Sequence, residues 1–447
     1  MRTVLPLSYV GGPQNMQQHY QDVMAIACSF CNINLFITIM TNPKWVEIQQ
    51  ELLPGQTAYD CPDLVACVFN LKKGELLNDI TKKHIFGKVF AYVYVIEFQK
   101  CRLPHVDILV VLDKNNRLCI PHNIDSCISA QWPDPEKNCQ LFDTVKLCMI
   151  HGPCGNINSS APCMIEGKCS KCYPKSYQEL TITNNDGYPL YTRPNDGCIY
   201  LVKVHNLNRM VEVDNWWIVL YNPNLSSKYN CHINVESVAT FKTLKYYFKC
   251  IHKGPDCATL QCQLDKIKTY IDGCYISAPE AVWHIFHFVT HEQFPAVAQL
   301  QVCCSECHVL QQLIVYLQIH LPGKHMVIFD PDEPVETIIA HASSKVTTLM
   351  EFFRMNNTSG PEGDCAQTLT YQEFPQNFVW DKAKKTWSLC KQGFSLGQIY
   401  FVSPTAGKRF HLCTLEHMKM SCIQHSKMDV KLMVYLKMMA NGVCVFE

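Results

Sequence analysis

The chain has 447 residues, 48% of them hydrophobic and 17% charged, with no Gly/Ser-rich or Pro-rich tract. This excludes an extended disordered chain and gives two or three folded domains as the expectation. Lysine plus arginine equal aspartate plus glutamate at 39 each, so no overall field draws nucleic acid, and any such affinity has to come from local patches.

The apolar stretch 4–10 is broken by Pro6 and followed by Gly11, Gly12 and Pro13, so it does not read as a secretory signal. The longest apolar run, residues 89–98, falls far short of the roughly 20 residues of a membrane helix. A soluble nuclear or cytoplasmic protein without a membrane partner is expected. Its 27 cysteines then predict reduced thiols, a few of them metal ligands, rather than a disulfide framework.

In chain order, residues 34–40 (NLFITIM) are apolar and β-branched over strand length and end at Thr41-Asn42-Pro43, which predicts a buried strand. Residues 63–82 carry Leu64, Val65, Val68, Leu71, Leu76, Leu77 and Ile80 at helical spacing and predict an amphipathic helix. Residues 89–98 and 106–112 are strand-like and joined by a short polar link, which predicts a hairpin. From 134 to 174 cysteines, glycines and prolines break the pattern, as in a loop-rich insertion with its own means of support. Residues 241–252 predict a short basic helix stopped by Gly254-Pro255. Beyond it, helix-like stretches near 263–270 and 278–288 lead into mixed strand and loop.

Three groups of residues point to chemistry. On the second hairpin strand His105 and Asp107 are two apart and share a sheet face. With Glu97 of the neighbouring strand as a third ligand, should the register place it opposite, they would suit Mg²⁺ or Mn²⁺. In the basic helix, Tyr246 and Tyr247 offer oxygens for a covalent phosphotyrosine. Successive helical residues point about 100° apart, so one of the two at most faces such an ion. Lys242, Lys245, Lys249 and Lys253 form a patch for backbone phosphate. On pattern alone the structural readings, a solvated edge pair, core-packed tyrosines and a solvated helix face, come ahead of the catalytic one. His151, Cys154, Cys163, Cys169 and Cys172, with an HxxC opening and a CxxC close, predict a structural zinc site, the choice between His151 and Cys172 being open. Gly407-Lys408 has Val402 at the earlier glycine position of a phosphate loop and Arg409 in place of Ser/Thr, so no ATP site is expected.

The blocks LPLSYVGGPQNMQQHYQDVMAI, LFITIMTNPKWVEI, FGKVFAYVYVIEFQKCRLPHVDILVVL, HGPCGN with PCMIEGKCSK, and LKYYFKCIHKGPD resemble, in order, those of the Helitron helicase-like N-terminal region. The likeness runs to about IYFVSPTAGKRF near residue 410. It implies a HUH-type rolling-circle endonuclease that cuts and rejoins single-stranded DNA, with two histidines on a divalent metal and helix-borne tyrosines as nucleophiles. His105 matches the first metal position, while Asp107 stands where the family has histidine. Tyr246 matches the first tyrosine, and Cys250 stands where a second is expected one turn later. Cys61, Cys67 and Cys101 stand where the family's blocks read arginine, as in a decaying transposon copy. A helicase follows this region in the family, so the chain is expected to be truncated there and before Met1.

The fold expected is α+β: a HUH-nuclease-like antiparallel sheet core with flanking helices, a Cys-rich insertion and a mixed C-terminal domain. The core's first part should span 1–130, the insertion 131–225, the tyrosine-bearing helix 226–256 and the mixed region 257–447. The alternative function is a catalytically dead single-stranded DNA-binding remnant of a transposon protein, gripping DNA through the basic helix and exposed aromatics.

Overall fold

In a computed structural model, the described residues are 12–30, 33–98, 103–116, 120–183, 188–204, 209–238, 277–300 and 346–399. They form two units, Met1–Phe294 and Pro295–Glu447.

The first unit is built on runs of β-branched residues that have to be buried on both sides. Helix α1 (Pro13–Phe30) leads into strand β1 (Leu35–Met40). Helix α2 (Pro62–Thr81) follows, with proline in its first turn, and then the hairpin of β2 (Val89–Phe98) and β3 (Pro104–Leu112). Much later in the chain come β4 (Ile233–Ser237), α3 (Ala278–Ile285) and β5 (His291–Phe294). The five strands make one sheet in the order β4-β1-β3-β2-β5, every pairing antiparallel. All nine residues of the central β3 are buried, as expected of a strand covered on both faces.

One face carries Leu35, Ile37, Ile39, Ile108, Val110 and Ile96 against Val65, Phe69, Leu76 and Ile80 of α2 and Trp283 of α3. The helix meets the sheet through a stripe four or so residues apart, its predicted face with one exception. Leu71 is 74% exposed and Phe69 takes the buried position. The other face is approached by α1, where the His19 ring lies 3.9 Å from that of His291 and Gln293 donates to Asp22 at 3.1 Å. Their neighbour Glu292 faces the other way and accepts from Tyr92 and Tyr94.

The sheet reaches past the expected boundary at residue 256. Its last strand, His291–Phe294, reads HEQF, with no apolar run to reveal it. Residues 239–276, which include Tyr246, Tyr247, Cys250 and the four lysines, lie outside the described residues, as do Cys101 and Gly407-Lys408.

Between β3 and β4 the chain builds a second apolar cluster. Trp132, Leu141, Val145, Met149, Val213, Trp217, Ile218 and Tyr221 pack around Cys154, with Cys163, Cys169 and Tyr173 partly buried against them. The insertion therefore has an apolar core, where the sequence suggested mainly loops. Bridges from Ser129 to Tyr221 and from Ile150 to Ile218 close it.

In the second unit, strands Ala296–Leu300 and Ser395–Ile399 pair in parallel and Phe378–Asp381 forms a hairpin with Thr386–Leu389. Helices Thr348–Asn356 and Pro361–Gln367 complete a core of Phe352, Tyr371, Phe374, Phe378 and Trp387. Gly397 is required here, because a Cβ would meet the Gln372 carbonyl oxygen at 2.1 Å. The whole is α+β, and no helix among the described residues is long and apolar enough to cross a membrane.

Candidate functional site

Register brings together the three polar residues read from the hairpin. Glu97 on β2 lies directly opposite His105 on β3, and Asp107 lies opposite Thr38 on β1. Directly opposed residues of antiparallel strands share a face, so all three carboxyl and imidazole groups project from one side of the sheet. His105 Nε2 is 3.4 Å from Glu97 Oε2, and Thr38 donates its hydroxyl to Asp107 Oδ1 at 2.6 Å. One ligand atom from each of Glu97, His105 and Asp107 lies within 4.8 Å of the others.

These groups sit out of water, His105 at 2% and Asp107 at 4% exposure. Burial pushes the Asp107 carboxyl up to about 6. The nearby His105 and the Thr38 hydroxyl oppose the shift, and Glu97 adds to it. Glu97 Oε1 is buried and has no hydrogen-bond partner among the described residues. A buried carboxylate oxygen left without a donor is costly. An imidazole with two carboxylates makes a donor set that suits a hard divalent cation. On both counts the residues fit Mg²⁺ or Mn²⁺.

Thr38 was not singled out in the sequence, although it is the one hydroxyl in an otherwise apolar strand. His232 was also missed. It stands at the start of β4, where its carbonyl accepts from the Met40 N–H, beside the position of Met40 opposite His105. His232 Nδ1 donates to the Cys148 carbonyl at 2.8 Å, which leaves Nε2 as its basic nitrogen. Its pKa is lowered by burial, the Cys148 contact opposing this and His105 reinforcing it.

A second group forms in the insertion. His151, Cys154, Cys163 and Cys169 place ligand atoms within 4.8 Å of one another. His151 Nε2 is 3.7 Å from Cys154 Sγ and 3.5 Å from Cys169 Sγ. Two residues with positive φ, Glu166 and Gly167, turn the chain between the short strands Met164–Ile165 and Lys168–Cys169, a two-residue hairpin that favours glycine at its second position. That turn sets Cys163 and Cys169 side by side. Cys172 is exposed and stays outside the group.

Burial first, then Lys175 and Lys171, lowers the His151 pKa to about 4, so the ring is neutral as a ligand must be. Cys154 is pushed up to about 12 by burial and by its thiol neighbours. Burial pushes Cys169 up, but backbone hydrogen bonds from Tyr173 and Lys171, with those from the Cys154 and Cys163 thiols, together hold it down. Neutral imidazole and three soft thiols fit zinc.

The fold is thus α+β, with a group of one histidine and two carboxylates on one face of an antiparallel sheet, close enough together that they could hold a metal ion. Residues 1–110 match the family described as Helitron helicase-like domain at N-terminus, the family that the sequence blocks of this stretch resemble. That stretch contains Thr38, Glu97, His105 and Asp107. No curated protein matches the chain.

Proposed function

We propose that the protein nicks and rejoins single-stranded DNA in rolling-circle transposition, through a HUH-like sheet core and a divalent metal. The observation that carries this reading is the convergence of Glu97, His105 and Asp107 on one buried sheet face inside the stretch that matches the Helitron region.

Glu97, His105 and Asp107 would hold Mg²⁺ or Mn²⁺, and the bound ion would polarise the scissile phosphate and offset charge as the P–O bond breaks. The chain's own groups do the rest. Thr38 holds the Asp107 carboxyl in one orientation through its 2.6 Å hydrogen bond. The sheet excludes water behind the site, since β3 is buried throughout. Tyr246, with Tyr247 beside it, would attack phosphorus through its hydroxyl oxygen, forming a phosphotyrosine and releasing a 3′ hydroxyl, and the reverse attack would rejoin the strand. Lys242, Lys245, Lys249 and Lys253 would hold the backbone. His151, Cys154, Cys163 and Cys169 would hold a structural zinc, with Cys172 spare. By domains, the core would run over 1–130 and return at 226–256 around the insertion 131–225, with 257–447 contributing β5 to the sheet.

The test is incubation with a labelled single-stranded oligonucleotide and Mn²⁺. A protein–DNA adduct that survives denaturation and is lost in Tyr246→Phe is the expected result. A second reading, a DNA-binding remnant that no longer cuts, is favoured by Asp107 itself, a buried carboxylate at the position where the family has histidine. Under it no adduct forms, binding to DNA persists with a steep salt dependence, and Asp107→His restores adduct formation.

A further inference from the structure

We propose that the cavity between the Cys-rich insertion and the sheet edge holds one nucleotide of the DNA strand, beside the site of strand cleavage. The inference rests on the reading that the protein acts on single-stranded DNA, and it adds where a base is held.

The cavity is about 390 Å³, within the roughly 300–1,000 Å³ of small-ligand pockets. Three tyrosines, Tyr173, Tyr188 and Tyr191, form its walls, and Tyr188 and Tyr191 meet edge to face at 6.3 Å. Planar aromatic walls suit a base, whose π-face stacks irrespective of sequence.

Charge in the lining favours an anion. Lys171, Lys175 and Arg193 contribute cations against the carboxylate of Glu236. Arg193 is 4% exposed, and its guanidinium donates to the carbonyls of Asn215 and Ile218. Its charge is therefore fixed in the wall, while the two lysines, 4.9 Å from the Tyr173 ring in the case of Lys175, are placed for a phosphate. Gln178 adds an amide to the lining, and Asn234, whose amide nitrogen donates to Glu236 Oε1 at 2.7 Å, keeps a buried Oδ1 with no partner among the described residues as an acceptor for a base edge.

Register fixes where this nucleotide lies. Asn234 on β4 is opposite Thr38 on β1, which is opposite Asp107 on β3. The cavity floor is thus two strand spacings, about 10 Å, from Asp107 on the same face, a span of one or two nucleotides along an extended strand. The wall belongs to the His/Cys group: His151 lines the cavity and stacks on Tyr173 at 4.1 Å with 12° between planes. Order in that group is therefore order in the nucleotide pocket.

The test uses the full chain with zinc and Mn²⁺ and oligonucleotides carrying 5-iodouracil at successive positions, with crosslinked peptides mapped after irradiation. Crosslinks to Tyr173 or Tyr188 are expected. Tyr188→Ala should weaken single-strand binding roughly tenfold, with Tyr188→Phe restoring it. Lys175→Gln should lower the salt slope of binding by about one ion. Far-UV circular dichroism and zinc content identify variants that have kept their fold, and only those are compared.

Crosslinks confined to other regions, with Tyr188→Ala and Lys175→Gln within twofold of wild type, overturn the pocket. Displacement of the strand by free deoxynucleoside 5′-monophosphate at equal nucleotide concentration overturns its assignment to the strand. Adduct formation at Tyr246 separates the two readings. Pocket crosslinks without any adduct leave the pocket standing and remove the nicking reaction, and an adduct untouched by the pocket variants does the reverse.

Discussion

The two ligand groups of the first unit are built in opposite ways. Glu97, His105 and Asp107 are set by strand register on a sheet whose apolar packing exists without any ion. His151, Cys154, Cys163 and Cys169 come from turns and a two-residue hairpin, joined by few ladder bonds. The first arrangement is preorganised, and its cost is a carboxylate kept out of water. The second brings together three thiols that would repel one another once ionised, so on the zinc reading proposed above a cation would hold its loops.

The largest expected effect therefore belongs to the insertion. Cys154→Ser should abolish zinc binding and destabilise the Trp132 and Trp217 cluster by several kcal/mol, seen as lost metal by elemental analysis and lost near-ultraviolet dichroism. A variant with unchanged dichroism would mean that the apolar cluster stands by itself and that the contrast between the two groups is false.

Next is the pH dependence of the sheet group in chelator. Its folded pKa is raised from 3.8 to about 6, so Asp107 contributes stability that is complete below about pH 4 and lost as pH rises through 6. Asp107→Asn should match wild type near pH 4 and exceed it by about 3 kcal/mol at pH 7.5, measured by denaturant unfolding. A difference that stays flat with pH would show the carboxylate to be solvated.

Glu97→Gln should weaken Mn²⁺ binding at least tenfold in calorimetry while the melting temperature moves little, since the strand keeps its ladder. Collapse of the fold instead would place Glu97 in the architecture. Smallest is Cys172→Ser, with zinc retained and stability within about 0.5 kcal/mol of wild type. Loss of zinc there would restore Cys172 to the ligand set.

Strands β1 to β3 and helix α2 were legible because burial on both faces writes itself as β-branched runs, and burial on one as a helical stripe. The hairpin followed from the short link between its strands, whereas its register, and with it the Glu97–His105 pairing, is fixed only by the ladder itself. Other features were hidden for physical reasons. β5 presents three successive polar residues, His291, Glu292 and Gln293, at an edge. The insertion's core draws Trp132, Leu141, Met149, Val213 and Trp217 from segments far apart in sequence, so no local window contains its pattern. His151 and Cys172 were equal candidates on spacing, and only the turn at Glu166-Gly167 and the stacking on Tyr173 separate them. The nucleotide pocket has no motif at all, being assembled from three tyrosines and two lysines in the insertion and alternate residues of β4.

The positions of β4 and β5 also bear on biosynthesis. Tyr92 and its partner Glu292 are 200 residues apart, and β1 waits almost as long for β4. On the ribosome the first three strands emerge with both outer edges open, a long-lived intermediate of high contact order that invites pairing with other chains. The 1–110 stretch, expressed by itself, would lack both closing strands and should aggregate, so the smallest soluble fragment of this unit has to extend through Phe294.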